Sequence, residues 1–305
     1  MDSLSALTRI NLDDLVVSFG WQNTRLRAAV LRAVFRGPAE KFARQMLAFD
    51  DMVAVRGLAQ AAQELFYRYA QSLTIYGAEH IPATGPALFL SNHPGMVDTL
   101  ALFIAIRRPD LKIIATERPF LQSLKNITPQ LIFVSDDPAR RMSAVRQAAA
   151  HLKAGGAALT FPAGKIEPDA DVYPGALEAL EGWSESAGLF LRFAPATQVI
   201  PTFVRGVLWE KAVKHPLTRI KKNREERERL GAAFQLLMHV MFNQRPLKVS
   251  VHFGAPLEQK KDNPSDIAAV HLHVLQTMKE LIHLSQNRQK GWNGLSAPQS
   301  IGAIE

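Results

Sequence analysis

From Leu73 onward the chain alternates between two textures, and no other feature restricts its fold as much. Short runs rich in Ile, Val and Phe (73–76, 86–90, 111–115, 131–134, 157–161 and 198–204) are separated by stretches with helical spacing, such as 138–153 and 175–186. Apolar runs of about four to eight residues read as strands, and strands that alternate with helices build a parallel sheet covered by helices. The expected fold is therefore α/β, a mostly parallel sheet flanked by helices. Residues 24–73 read as helical with a break near Gly37-Pro38, because proline removes a helical N–H and glycine loosens the backbone. Residues 223–244 and 264–286 read as further helices. The segment LKVSVHF, 247–253, alternates with period two and reads as a half-buried edge strand, and the tail from Asn287 reads as loose. Three parts follow: an N-terminal helical lobe over 1–74 with a candidate membrane-facing surface, an α/β core over 75–260, and a C-terminal helix with a loose tail over 261–305.

At 305 residues the chain can bury a sizeable core, and 47% hydrophobic with 21% charged residues is an ordinary globular balance. Its net charge of +8 implies an anionic partner: nucleic acid, acidic lipid or a phosphorylated small molecule. The absence of cysteine excludes disulfides, thiolate nucleophiles and Cys-based zinc sites. No G-x-G-x-x-G or Walker loop is present, so no nucleotide cofactor is expected. No nucleic-acid-binding pattern accompanies the charge, so nucleic acid is not expected as a partner. No apolar run reaches the roughly 18 residues of a membrane-crossing helix, and acidic residues near the start do not fit a secretory signal. The expected location is cytoplasmic, with any membrane contact peripheral and on the cytoplasmic face.

Two strand ends carry chemistry. After the run Ala87–Leu90 comes SNHPGMVDT, with His93 five residues before Asp98. Histidine is the side chain best suited to take a proton near neutral pH, and a carboxylate behind it fixes its tautomer. Five residues along a helix span about 140°, so the two side chains meet only if Pro94-Gly95 makes a turn before the helix begins. The bland alternative is a strand-end histidine beside a helix-starting aspartate. The second strand end is ALTFPAGKIEP, 158–168, where small residues leave backbone N–H groups open to an anion and Lys165 adds charge. Parallel sheets collect ligands beyond the carboxyl ends of their strands, which places both motifs at one crevice. The other eight histidines, His271 and His273 among them, read as structural or surface, and no metal site is expected.

The blocks NHPGMVD, LIFV (131–134), FPAGKIEP and VIPTFVRG (199–206) resemble, in order and spacing, those of the glycerolipid acyltransferases, which include the bacterial 1-acylglycerol-3-phosphate acyltransferases. The resemblance implies acyl transfer from acyl-CoA or acyl carrier protein to a hydroxyl, with no other cofactor. It makes His93 the general base and Asp98 its orienting partner. Asn92, Phe161, Pro162, Gly164 and Lys165 would line the substrate site, with backbone amides near the Pro162–Gly164 turn helping to hold an oxyanion. The chain departs from the family at Ala163, where the third block has glutamate, and at Lys165-Ile166-Glu167, where it reads Thr-Arg-Ser. It departs again at Ser135-Asp136-Asp137, where an arginine follows the second block. These are the family's phosphate-holding positions, so Lys165, Arg140 and Arg141 become the candidate substitutes and the acceptor stays open between a lysophospholipid and a related lipid. FPAG is similar to the variant block of the hemolysin-like and ornithine-lipid branch.

Residues 24–36, TRLRAAVLRAVFR, set Leu26, Val30, Ala33 and Val34 on one side and Arg25, Arg32 and Arg36 on another. A basic amphipathic helix of this kind suits an anionic membrane surface, although packing on its own domain gives the same pattern. The run from Lys211 to Arg229 is a further candidate contact for lipid or carrier protein. Two other functions fit the same residues: a non-catalytic lipid-binding protein, and a hydrolase that turns the dyad on water.

Overall fold

The computed structural model describes residues 2–135, 137–257, 266–288 and 299–302. Asp136, the boundary read at 260–261, and tail residues 289–298 and 303–305 lie outside the described residues. The chain begins with three helices, α1 (Ser3–Phe19), α2 (Arg25–Arg56) and α3 (Leu58–Phe66). The core follows as β1 (Ala70–Tyr76), β2 (Ala87–Ser91), α4 (Met96–Ile106), β3 (Leu111–Thr116), α5 (Pro119–Gln122), β4 (Leu131–Val134), α6 (Pro138–Lys153) and β5 (Ala157–Thr160). It continues through α7 (Ser186–Phe193), β6 (Gln198–Arg205), α8 (Glu210–Val213), α9 (Arg224–Phe242), β7 (Leu247–Phe253), α10 (Ile267–Arg288) and β8 (Gln299–Ile301).

The described strands form one sheet in the order β4-β3-β5-β2-β6-β7-β1-β8. Strands β4, β3, β5, β2 and β6 run parallel, so their carboxyl ends share one edge. Strand β7 is antiparallel to β6, and β1 is parallel to β7. Residues alternate between two cores as the pleat requires. Ala87 and Phe89 of β2, with Ile200 and Val204 of β6, join α2, α3 and α4 on one face. Leu88 and Leu90, with Val199 and Phe203, join α6, α7 and α10 on the other. Helix α4 is apolar all round from Leu100 to Ile106 and buried there.

Several expectations need correction. Helix α2 runs through Gly37-Pro38 without a break. One lost N–H is outweighed by burial on both sides of it, Leu31 against α1 and Phe42, Met46 and Phe49 in the main core. Strand β7 is interior rather than an edge, and His252 on it is buried and stacked on Tyr76 with ring centroids 4.6 Å apart. The stretch 175–186 forms only a 3₁₀ turn over Glu178–Gly182, because Trp183 becomes extended to turn its indole inward and α7 starts afresh at Ser186. From the tail read as loose, Gln299–Ile301 pairs antiparallel with β1.

Strand β6 is followed by Gly206, whose φ of +79° is a conformation only glycine adopts without strain. A Cβ there would also stand 2.2 Å from the Lys248 carbonyl oxygen, on the neighbouring backbone. Gly206→Ala is expected to lower stability by about 1–3 kcal/mol in denaturant unfolding; an unchanged midpoint would contradict this packing.

Candidate active site

Strand β2 is buried along its whole length and releases the chain at Ser91 into the turn Asn92–Gly95. Asn92 ties this turn to β6: its Nδ2 donates to Val204 O at 2.9 Å and its Oδ1 accepts from Val204 N at 2.8 Å. Because α4 starts only at Met96, His93 is free of helical spacing. Its Nδ1 lies 2.9 Å from Asp98 Oδ2 and 3.1 Å from Oδ1. Asp98, fully buried, also accepts from Gly95 N at 2.8 Å and Thr99 Oγ1 at 2.9 Å. An ionised carboxylate can only accept, so the shared proton sits on Nδ1 and the lone pair belongs to Nε2. Nε2 has no protein partner among the described residues, and the side chain is 26% exposed.

Strand β5 pairs directly with β2, Thr160 opposite Leu90, and brings the second motif alongside. Phe161 stacks on the His93 ring with centroids 4.4 Å apart. Pro162 is buried, and the turn closes when Gly164, at φ +62°, donates its N–H to Phe161 O. That N–H is therefore committed and cannot face an oxyanion; those of Ala163 and Lys165 make no protein hydrogen bond among the described residues. Lys165 stands exposed at the tip of the loop.

Glu167 then turns inward and is 4% exposed. Its Oε2 accepts from His93 N at 3.0 Å, its Oε1 accepts from Trp183 Nε1 at 2.8 Å, and its own N–H donates to His93 O at 2.9 Å. Burial pushes its carboxyl up to about 7, against the pull of these two donors and of His93. Burial works to keep His93 neutral, yet Asp98, by charge and hydrogen bond, together with Glu167 raises its proton affinity above the ordinary histidine value; Arg118 opposes them. Two residues on, Asp169 accepts from the main-chain N–H groups of Gly206, Val207 and Leu208 at 3.0, 2.7 and 2.9 Å. The loops after β5 and β6 are thereby locked together, with Gly95 packed beside Val207 and Leu208.

The remaining candidates are spread more widely. Arg140 and Arg141 are exposed at the start of α6, and Arg140 lies 4.0 Å from Asp137. Their strand, β4, is three strands from β2, about 14 Å along the sheet, so the structure does not bring them to His93. Arg32 bonds Asp13 of α1 at 2.9 Å, while Arg25 and Arg36 are exposed. On the same half of α2, Ala28 and Leu31 pack on α1, whereas Leu26, Val30 and Val34 are 77%, 54% and 63% exposed. Sequence reasoning missed Glu167 as a site residue and missed Arg118, an exposed cation in the loop after β3 whose charge reaches both His93 and Asp14. The readable signal for both was position: each follows the carboxyl end of a strand in the parallel block.

The family model described as Acyltransferase matches residues 72–201, from β1 through both motifs into β6. No curated protein matches the sequence. Among solved structures, the chain is similar to the 1-acyl-sn-glycerophosphate (LPA) acyltransferase PlsC from Thermotoga maritima, at 16% identity and a TM-score of 0.48, covering 93% of this chain and 98% of that one. The stretch matched by the family model, residues 72–201, carries three of the four blocks resembling those of the glycerolipid acyltransferases and the start of the fourth.

Proposed function

We propose that the protein transfers a fatty acyl group from a thioester, acyl-CoA or acyl carrier protein, to the hydroxyl of a lysophospholipid or related lipid. The observation that carries this reading is the His93 imidazole, bonded through Nδ1 to buried Asp98 and bare at Nε2. Nε2 takes the proton of the acceptor hydroxyl as its oxygen attacks the thioester carbonyl. The C–S bond then breaks, the acyl–oxygen ester remains, and the thiolate leaves with the proton returned from the imidazolium. Asp98 holds the ring in the tautomer this needs and stabilises its charged form. The unpaired N–H groups of Ala163 and Lys165 are candidate donors to the carbonyl oxygen as it gains charge.

An apolar, anionic substrate fits the surroundings. Met96 and Ile166, neighbours in sequence of Gly95 and Glu167, are exposed at 38% and 54%. Arg118 and Lys165 supply positive charge on the same edge, in place of the more distant Arg140 and Arg141. The exposed row Leu26, Val30 and Val34, beside Arg25 and Arg36, supports peripheral attachment to an anionic bilayer. No helix among the described residues is long and apolar enough to cross a membrane.

Purified wild type and His93→Ala, given both thioesters and a panel of lysolipids, test the chemistry. Removal of the base is expected to cost about 10²–10⁴ in rate, with acylated lipid as the wild-type product. Free fatty acid without acylated lipid would make the protein a hydrolase, and equal inactivity of both proteins would favour lipid binding alone. Attachment is tested separately by flotation with anionic vesicles. Changing Leu26, Val30 and Val34 to Glu is expected to leave the protein at the bottom of the gradient; undiminished flotation would remove α2 from the membrane.

A further inference from the structure

The tie between Glu167 and His93 has more parts than a structural link needs. The main-chain bond from Glu167 N to His93 O already joins the two loops. An ionised carboxylate buried beside it costs desolvation free energy that a neutral side chain would avoid. Both of its oxygens are nonetheless used, one on the His93 N–H and one on the Trp183 indole. Trp183 bonds the second oxygen of the acid from the residue that follows the 3₁₀ turn Glu178–Gly182.

We propose that Glu167 is a positioning residue for the His93 base: it fixes the histidine's backbone in front of the acceptor and adds a second negative charge, with Asp98, that favours the proton His93 takes up. This rests on the acyl-transfer reading for its consequence in catalysis, but not for its effect on the histidine. The charged and titratable groups that bear on the pair come from three elements: Asp98 at the start of α4, Glu167 after β5 and Arg118 after β3. Asp98 and Glu167 raise the proton affinity of His93 and Arg118 lowers it. Burial lifts the pKa of Glu167 to about 7, so its charge develops in the same pH range in which a histidine titrates.

The sign follows. A general base must be unprotonated to start the reaction, so the acid limb of kcat/KM tracks His93 in the free enzyme. Removing the Glu167 charge makes His93 easier to deprotonate and moves that limb to lower pH. Glu167→Gln also leaves one acceptor oxygen for two donors, which loosens the histidine, and a small misplacement of a catalytic group can cost about 10²-fold. Glu167→Asp keeps the charge with a shorter reach.

The experiment measures kcat/KM against pH for wild type, Glu167→Gln and Glu167→Asp, alongside an NMR titration of the His93 ring in each. The expected result is a loss of about 10²-fold in the glutamine variant with its acid limb and ring titration displaced to lower pH, and a limb restored toward wild type by aspartate. A glutamine variant that loses rate with limb and titration unmoved would overturn the proposal and leave Glu167 a structural tie. If wild type transfers no acyl group, the acyl-transfer reading fails, and the ring titration alone decides on Glu167 in the same two directions. Should the glutamine variant not fold, the wild-type titration decides: His93 shifts that report a second titrating group besides the ring support the proposal, and a single inflection overturns it.

Discussion

The chemistry proposed for this protein depends on one hydrogen bond, from His93 Nδ1 to the buried carboxylate of Asp98. It crosses the boundary between a turn and a helix, and that boundary has to fall between the two residues. If the helix began at His93, the five-residue spacing would send the side chains to different faces. Pro94 and Gly95 postpone the helix to Met96, and Gly95 N–H then serves as a further donor to Asp98. Asp98 thus caps its own helix and holds the imidazole with the same two oxygens.

The sheet turns this local device into a site. Five parallel strands end at one edge, and β2, which carries His93, lies between β5 and β6. Its neighbours deliver Phe161 and Glu167 on one side and the 206–208 loop on the other. Asn92 and Asp169 stitch these loops to one another through main-chain partners. The result is a cross-linked rim on which His93 Nε2 has no partner among the described residues, the arrangement the proposed general base requires.

The sequence carried the parallel block and the dyad because both are local. Buried strands announce themselves as apolar runs, so 131–134 and the helix 138–153 appear in the structure with the limits read from the residues. The misreadings arise where distant chain decides. Gly37-Pro38 obeys a local rule that packing on both sides overrides. The period-two pattern of 247–253 cannot reveal that β6 and β1 will flank it. Glu167 meets His93 across 74 residues and Trp183 across 16, and no spacing rule links them. Arg140 and Arg141 fail as neighbours of the histidine because the second block belongs to β4, three strands away, while Arg118 stands after the closer strand β3.

The most direct measurement of the central claim is the protonation state of the two His93 ring nitrogens, by ¹⁵N and ¹H NMR at a pH where the ring is neutral. A proton on Nδ1, shifted downfield by Asp98 and lost in Asp98→Asn, with Nε2 bare, is the expected result. A proton on Nε2 with Nδ1 bare would contradict it, since the ring would then hold its lone pair toward a carboxylate and have none to offer an acceptor.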